Sequence, residues 1–277
     1  MLIGGILALS AVIACVVCAV SGGFGGYGWL WIWPVTFVGS VLALALAGFL
    51  YLLIMCKRVD QDVPQEDDDP AYRKMMDLYL ESLLPLLRVH IKTKGMEKTP
   101  KSGRFMLICN HNNDADPIIL MRCFRKSQLA FISKKENRDM FVIGPVMHKT
   151  LCQLINREND REALKTILKC IQILKEDKAS IAVFPEGGIL SEDDKMHRFR
   201  PGVFKIAQKA NVPIVVCTLI NSQNVLQNVK RFKRSDVELH LIDVIPAEEL
   251  KGVTAVDIAE RCYQIMAEDL GPERLAD

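Results

Sequence analysis

Residues 108–120 read ICNHNNDADPIIL, and this stretch joins two different kinds of apolar segment. The strand-like run RFMLIC (104–109) stops at His111, and polar or small residues follow until Pro117 opens a second apolar run. Proline is favoured in the first turn of a helix, because its fixed φ suits the helix and its missing N–H is not needed there. The stretch therefore predicts a strand, a polar turn and a helix in direct succession.

Comparable apolar runs recur along the chain and alternate with helical patterns. Continuous apolar strands separated by helices are typical of buried, partly parallel sheets. The fold class predicted is α/β, with a mixed, partly parallel sheet flanked by helices. Further strands are expected at 129–134, 179–184, 212–219 and 237–245, and helices at 71–88 (amphipathic, bent by Pro85), 117–124, 160–175, 201–210 and 254–270.

The first 56 residues contain no Asp, Glu, Lys, Arg or His. Apolar runs at 3–20 and 29–56 flank the glycine-rich SGGFGGYG, and each approaches or exceeds the roughly 20 residues that cross a bilayer. Lys57 and Arg58 follow at once, which favours a cytoplasmic exit. The sequence predicts a membrane helical hairpin over 1–58 in the cell membrane, or a hairpin that dips into one leaflet. An acidic linker (59–70) and a cytoplasmic catalytic domain (71–277) are expected after it.

The charge balance and the cysteine content indicate which partners and which compartment the protein has. Without Lys57, Arg58 and the six acids of the linker, the 35 basic and 33 acidic residues become 33 and 27. This modest, diffuse excess suits anionic lipid headgroups or substrates and does not indicate nucleic acid. The nine cysteines lie mostly in apolar runs and form no metal-type cluster with His, which indicates a reducing compartment without disulfides.

The spacing of His111 and Asp116 indicates acid–base chemistry. A tight turn allows the carboxylate, expected to cap the helix, to fold back onto the imidazole and fix its tautomer. The other ring nitrogen is then free to take a proton from a hydroxyl. Asp114 is an alternative partner at a similar distance along the chain. No serine in a Gly-x-Ser-x-Gly setting is present, so the activated hydroxyl is expected to belong to the substrate.

Three further polar clusters follow apolar segments, where open α/β sheets bind ligands. Lys134 and Lys135 end the run at 129–134, and Arg157 follows LIN at 154–156. Glu186 follows the run at 179–184 and precedes Gly187 and a second glycine, which allow close approach of a ligand to the backbone.

Taken in order, these motifs resemble the glycerolipid acyltransferases of the phosphate/glycerol acyltransferase family. The resemblance covers about 100–245 and includes a Phe199-x-x-Gly202 step and the SKKE run at 133–136. The four blocks stand here as Asn110-His111-x4-Asp116, Leu154-Ile155-Asn156-Arg157, Phe184-Pro185-Glu186-Gly187 and Val212-Pro213-Ile214.

The resemblance implies an O-acyltransferase that makes phosphatidic acid from 1-acylglycerol-3-phosphate. His111 is then the general base, with Asp116 as its orienting partner. Arg157, Glu186 and Gly187 are expected to hold the membrane lipid acceptor, with Lys134 and Lys135 nearby. The acyl donor is acyl-CoA or acyl-carrier protein, and no cofactor or metal is expected.

The chain also departs from the family pattern. Gly188-Ile189-Leu190 replaces the usual Thr-Arg-Ser, which removes an arginine expected to contact the phosphate, and Arg198 and Arg200 are the candidates to replace it. Leu151 stands where the family has glycine, and Val216 where it has a second proline. These changes leave open a different lysophospholipid acceptor, or a non-catalytic lipid-binding protein of the same fold.

Overall fold

A computed structural model of the chain describes residues 2–156, 158–190 and 195–276. The described residues fall into two compact units. The first extends to Asp62 and the second begins at Val63, so the boundary lies inside the predicted 59–70 linker.

The first unit is a pair of apolar helices. Helix α1 spans Leu2–Val20 and helix α2 spans Trp29–Lys57, with a 3₁₀ turn between them at Gly23–Gly25. The buried residues of α1 are the small ones at every fourth position, Ser10, Ala14 and Cys18, which allow the helices to approach closely. Both helices are long and apolar enough to cross a membrane.

The second unit is built on a seven-stranded sheet with the order β1-β7-β6-β2-β5-β3-β4. Only β6 and β7 pair antiparallel, and all other neighbours are parallel. The predicted mixed α/β sheet is therefore confirmed. The strands are β1 (Val89–Lys94), β2 (Met106–Ile108), β3 (Leu129–Lys134), β4 (Gln153–Ile155), β5 (Ser180–Val183), β6 (Ile214–Ile220) and β7 (Ser235–Ile245).

Helices cover this sheet, and the bounds of the five expected ones are close to the prediction, whereas two short helices, Ile143–Lys149 and Val225–Lys230, were not predicted. The predicted helix at 71–88 ends at Leu86, because Pro85 lies in its last turn, and the one at 201–210 begins as a 3₁₀ turn over Pro201–Phe204. The helices are α3 (Pro70–Leu86), α4 (Asp116–Cys123), α5 (Ile143–Lys149), α6 (Asp160–Lys175), α7 (Lys205–Ala210), α8 (Val225–Lys230) and α9 (Ala255–Leu270).

The last acidic residues before α3 are bonded within the second unit. Asp69 caps the helix by accepting from the backbone N–H groups of Ala71 and Tyr72. Asp68 pairs with Arg73, whose guanidinium also donates to the carbonyl oxygen of Leu129 at 2.8 Å. This buried cation is therefore satisfied on both sides, and it anchors the start of α3 against the sheet.

The strand directions bring the polar turns together. The carboxyl ends of β2, β3, β4, β5 and β6 lie on one edge of the sheet, hereafter the catalytic edge, because these strands are mutually parallel. The pairing of β6 with β7 shifts its register between Val216 and Cys217. Proline is tolerated in strands chiefly at such irregularities, and Val216, which stands at the family's proline position, adjoins this one.

Candidate active site

His111 and Asp116 are in direct contact at the end of β2. The imidazole Nδ1 lies 3.0 Å from Asp116 Oδ2. Within the described residues, no hydrogen bond or ion pair engages Nε2 of this ring. The side chain retains a small exposed fraction, so a reactant can approach the second nitrogen.

The carboxylate of Asp116 is fully buried and is held by the turn that carries His111. Its Oδ2 accepts from the backbone N–H groups of Asn112 at 2.7 Å and Asn113 at 2.8 Å. Asp116 is therefore the first residue of α4 and not its cap, contrary to the sequence expectation, and Ala115 precedes it at the cap position. Asp114, the alternative partner, is exposed. The same oxygen that contacts His111 Nδ1 is thus held in place by the backbone of the turn.

Two asparagines fix this turn to its neighbours. The Asn110 amide both donates to the carbonyl oxygen and accepts from the N–H of Leu219 in β6, each at 2.8 Å. The Asn113 side chain donates to the carbonyl oxygen of Gln223, just beyond β6. The polar residues around His111 thus satisfy buried backbone groups and hold the ring in place.

Glu186 connects the turn after β5 to the His111 turn. Its Oε1 accepts from the backbone N–H of His111 and its Oε2 from that of His197, each at 2.8 Å. Burial raises the pKa of Glu186 to about 7, although the two backbone donors lower it. Both oxygens are thus used to position backbone, and an additional role of Glu186 in holding the acceptor stays a prediction.

The Phe184 ring forms a wall behind the imidazole. Its centroid lies 4.0 Å from that of His111, with 14° between the ring planes. A second aromatic ring, Phe131 of β3, stacks on Phe184 in turn. The sequence motif contained Phe184, but its stacking role has no sequence signal, because β2 and β5 pair only in the folded sheet.

Gly187 adopts a left-handed φ of +89° and lies beneath Arg200. A Cβ at this position would stand 2.6 Å from Arg200 Nε, so a side chain here would displace the guanidinium. Arg200 is exposed, and its backbone N–H donates to the carbonyl oxygen of Pro185. Arg198, the other candidate, pairs with Glu260 and lies over the Tyr263 ring. Of the two arginines, Arg200 adjoins the Glu186–Gly187 turn.

The remaining predicted residues have different outcomes. Lys134 ends β3 at the catalytic edge and Lys135 begins the 3₁₀ turn that follows, and both side chains are exposed. Arg157 lies outside the described residues. Over 2–156, 158–190 and 195–276, no group of three or more His, Cys, Asp or Glu side chains is placed to hold a metal ion.

Comparisons with known proteins agree with this geometry. Residues 90–220 match the family model described as Acyltransferase. A relative from Mycoplasma pneumoniae, named a probable 1-acyl-sn-glycerol-3-phosphate acyltransferase, is 30% identical over 71% of this chain and 75% of its own. The 1-acyl-sn-glycerol-3-phosphate acyltransferase of Saccharomyces cerevisiae is 26% identical over 83% of this chain and 75% of its own.

A solved structure shares the fold. It is the crystal structure of the 1-acyl-sn-glycerophosphate (LPA) acyltransferase PlsC from Thermotoga maritima, with a TM-score of 0.62 at 18% identity. The similarity covers 79% of this chain and 86% of that one.

Proposed function

The chain belongs to the acyltransferase family and is an acyltransferase, and from that premise we propose that it moves a fatty acyl chain from a thioester to the free hydroxyl of 1-acylglycerol-3-phosphate. The product is phosphatidic acid. The observation that carries the proposal is the His111 ring, which is held at Nδ1 by Asp116 and has no protein partner at Nε2 within the described residues.

The proposed reaction needs only one protonatable side chain at its centre. Nε2 of His111 takes the proton of the acceptor hydroxyl as the oxygen attacks the thioester carbonyl carbon. The carbon–sulfur bond then breaks, and the imidazolium returns its proton to the departing sulfur. Asp116 keeps the proton of the resting ring on Nδ1 and stabilises the imidazolium. No cofactor takes part, and acyl-CoA or acyl-carrier protein supplies the thioester.

The acceptor phosphate is proposed to bind between the turn at Gly187 and the lysines at the end of β3, Lys134 and Lys135. Arg200 presents an exposed guanidinium against Gly187, and guanidinium forks suit phosphate oxygens. Lys134 and Lys135 add positive charge at the same edge of the sheet, and Arg157 follows β4 in the sequence. These groups compensate for the arginine that the Gly188-Ile189-Leu190 segment lacks.

We also propose that α1 and α2 anchor the protein in the cell membrane, with the catalytic unit on the cytoplasmic side. The length and apolar composition of both helices support this, as do Lys57 and Arg58 at the end of α2. An anchored enzyme remains at the surface where its lipid acceptor resides. Labelling of Lys57 from each side of sealed vesicles tests the sidedness.

Activity is tested with the purified full chain, a radiolabelled acyl thioester and 1-acylglycerol-3-phosphate. We expect transfer with the wild type, and a loss of kcat of about 10³-fold in His111→Ala, since general-base catalysis contributes about that much. His240→Ala is the matched control, because this histidine in the middle of β7 also pairs with an aspartate, and it should retain activity. Undiminished transfer by His111→Ala would reject the mechanism.

Acceptor choice is tested by a panel of lysophospholipids, because the missing Thr-Arg-Ser segment makes another lysophospholipid the second candidate. We expect preference for 1-acylglycerol-3-phosphate, and a KM for it that rises about tenfold in Arg200→Ala, the loss of a charged hydrogen bond. Arg198→Ala serves as control, since Arg198 is already paired with Glu260. Faster transfer to another headgroup would favour the second candidate, and lipid binding without any turnover would indicate a non-catalytic protein.

A further inference from the structure

We propose that residues 230–234, which comprise the last residue of α8 and the turn that leads to β7, dock the catalytic edge of the sheet onto an anionic bilayer surface. This segment, hereafter the basic loop, reads Lys-Arg-Phe-Lys-Arg. The inference deepens the proposed function, because it adds a second lipid contact to the proposed membrane anchor and gives the catalytic unit an orientation.

The tip of the basic loop is an aromatic ring that the fold holds in solvent. Phe232 is 83% exposed and has a left-handed φ of +54°, a conformation that strains bulky side chains. Arg88 Nη1 donates to the Phe232 carbonyl oxygen at 3.0 Å, and the N–H of Lys233 donates to the carbonyl oxygen of Asn228 at 2.8 Å. Exposure and strain are thus maintained by specific bonds, as is common at functional sites.

Most of the basic side chains beside this ring are not paired with acidic residues of the described chain. Lys230, Arg231 and Lys233 form no ion pair within the described part of the chain, whereas Arg234 pairs with Asp236. Each basic residue near an anionic membrane strengthens binding about fivefold. An exposed aromatic ring among such residues suits the boundary between headgroups and acyl chains.

A second apolar side chain is exposed to solvent near the residue that bonds to the basic loop. Leu86, at the end of α3, is 68% exposed and stands two residues before Arg88, which bonds to Phe232. Two exposed apolar groups flanked by cations fit a lipid surface better than they fit an acidic protein, which would leave the apolar groups unmatched.

The strand directions place the basic loop on the catalytic edge. Because β7 runs antiparallel to β6, it starts at the edge of the sheet where β6 ends: Ile220 pairs with Glu238, and Ser235 lies three residues beyond that level. Strand β2 ends earlier, since Ile108 pairs with Val216, and the turn that carries His111 continues from there toward the same edge. In the strand order, β7 is two strands from β2, or about 10 Å across the sheet. Contact of the basic loop with a bilayer therefore turns the edge that carries His111 toward the lipid surface.

The test uses the full chain in vesicles of phosphatidylcholine, with or without phosphatidylglycerol, and with brominated acyl chains as a quencher. Phe232→Trp is made in a chain whose native tryptophans are replaced by phenylalanine, so that one indole reports on the basic loop. Val256→Trp is the matched control, since Val256 is 61% exposed and lies in the first turn of α9, beyond the opposite end of β7. We expect quenching of F232W in anionic vesicles and none of V256W.

A triple variant tests the charges. Lys230→Gln, Arg231→Gln and Lys233→Gln together should lower the docking equilibrium constant about 100-fold, measured as the anionic lipid content needed for half-maximal quenching. The proposal would be overturned if quenching of F232W did not depend on phosphatidylglycerol, or if V256W were quenched equally. It would also be overturned if the fluorescence of F232W changed with acyl-carrier protein but not with vesicles. Quenching requires no turnover, so these outcomes are independent of whether acyl transfer occurs.

Discussion

Two histidine–aspartate pairs adjoin the same sheet and have nearly identical contacts. His111 Nδ1 stands 3.0 Å from Asp116, and His240 Nδ1 stands 2.9 Å from Asp269. They differ at the second nitrogen, since Nε2 of His240 faces Glu238 at 3.6 Å, whereas that of His111 has no partner within the described residues. A histidine–aspartate pair alone therefore does not define a catalytic site. The distinguishing feature is whether Nε2 of the imidazole is free to contact a reactant.

Their positions on the sheet differ as well. His111 follows the carboxyl end of β2, whereas His240 lies in the middle of β7 opposite Thr218 of β6, which donates to Asp269. Strand ends leave space for a ligand, and strand interiors are filled by neighbouring strands. The comparison predicts that equal changes to the two pairs have unequal consequences.

The largest difference is expected from removing the charge of each aspartate. Asp116→Asn should lower kcat about 10³-fold, because a neutral amide cannot stabilise the imidazolium that forms when His111 takes the proton of the hydroxyl. Asp269→Asn should leave kcat unchanged. Initial rates of acyl transfer over a range of acceptor concentrations measure both. Comparable losses in the two variants would contradict the distinction between the pairs.

The next difference concerns the two glutamates near these rings. Burial raises the pKa of Glu186 from the ordinary 4.5 to about 7, so between these values the native state holds a proton that the unfolded state has released. The stability contributed by the protonated form is present below about pH 4.5 and is lost as the pH rises through about 7. Glu186→Gln cannot titrate. The free energy of unfolding of the wild type relative to this variant should therefore fall by up to about 3 kcal/mol over that window.

Denaturant unfolding of the purified full chain on both sides of this window measures the effect. Glu238→Gln is the matched control, because Glu238 lies beside the other histidine and is substantially exposed. The free energy of unfolding of Glu238→Gln, measured at the same pH values, is the reference for a glutamate-to-glutamine change beside a histidine. A pH-independent difference for Glu186→Gln would show that burial does not hold this carboxyl protonated.

Much of the fold could be predicted from the sequence, because most strands are buried. The continuous apolar runs identified β2, β3, β5, β6 and β7 within a few residues. Strand β1 was missed because its side chains His90, Lys92 and Lys94 are exposed at the sheet edge, which erases the apolar pattern. Strand β4 was missed because it has only three residues, Gln153–Ile155. Edge strands depend on pairing with distant segments, which local composition does not encode.

The site was predictable only where its residues are close in sequence. The His111–Asp116 contact follows from a tight turn, and the spacing indicated it. The bonds from Glu186 to the backbone of His111 and His197 have no such signal, because a backbone N–H has no residue identity to recognise. The His240–Asp269 pair, 29 residues apart, was not anticipated for the same reason.

A smaller effect is expected from the aromatic wall behind the catalytic ring. Phe184→Leu should lower kcat by about fivefold, the equivalent of a lost stacking contact of about 1 kcal/mol, with KM for the acceptor unchanged. The imidazole would then be less restricted relative to the hydroxyl. Phe131→Leu is the control, because Phe131 stacks on Phe184 and is buried beside it without a ring contact to His111 within the described residues. A larger loss of kcat in the control would assign the effect to core packing.

The smallest effect is expected from the second pair, and it should appear in stability alone. His240→Gln removes the bond between His240 and Asp269. Because Asp269 still accepts a hydrogen bond from the Thr218 hydroxyl and is partly accessible to water, the free energy of unfolding should fall by only about 1 kcal/mol. The kcat should not change, since Nε2 of His240 faces a carboxylate and lies within the sheet. If His240→Gln lowered kcat as much as His111→Ala, a free Nε2 would not distinguish a catalytic histidine from a structural one. The assignment of His111 as the general base would then be rejected.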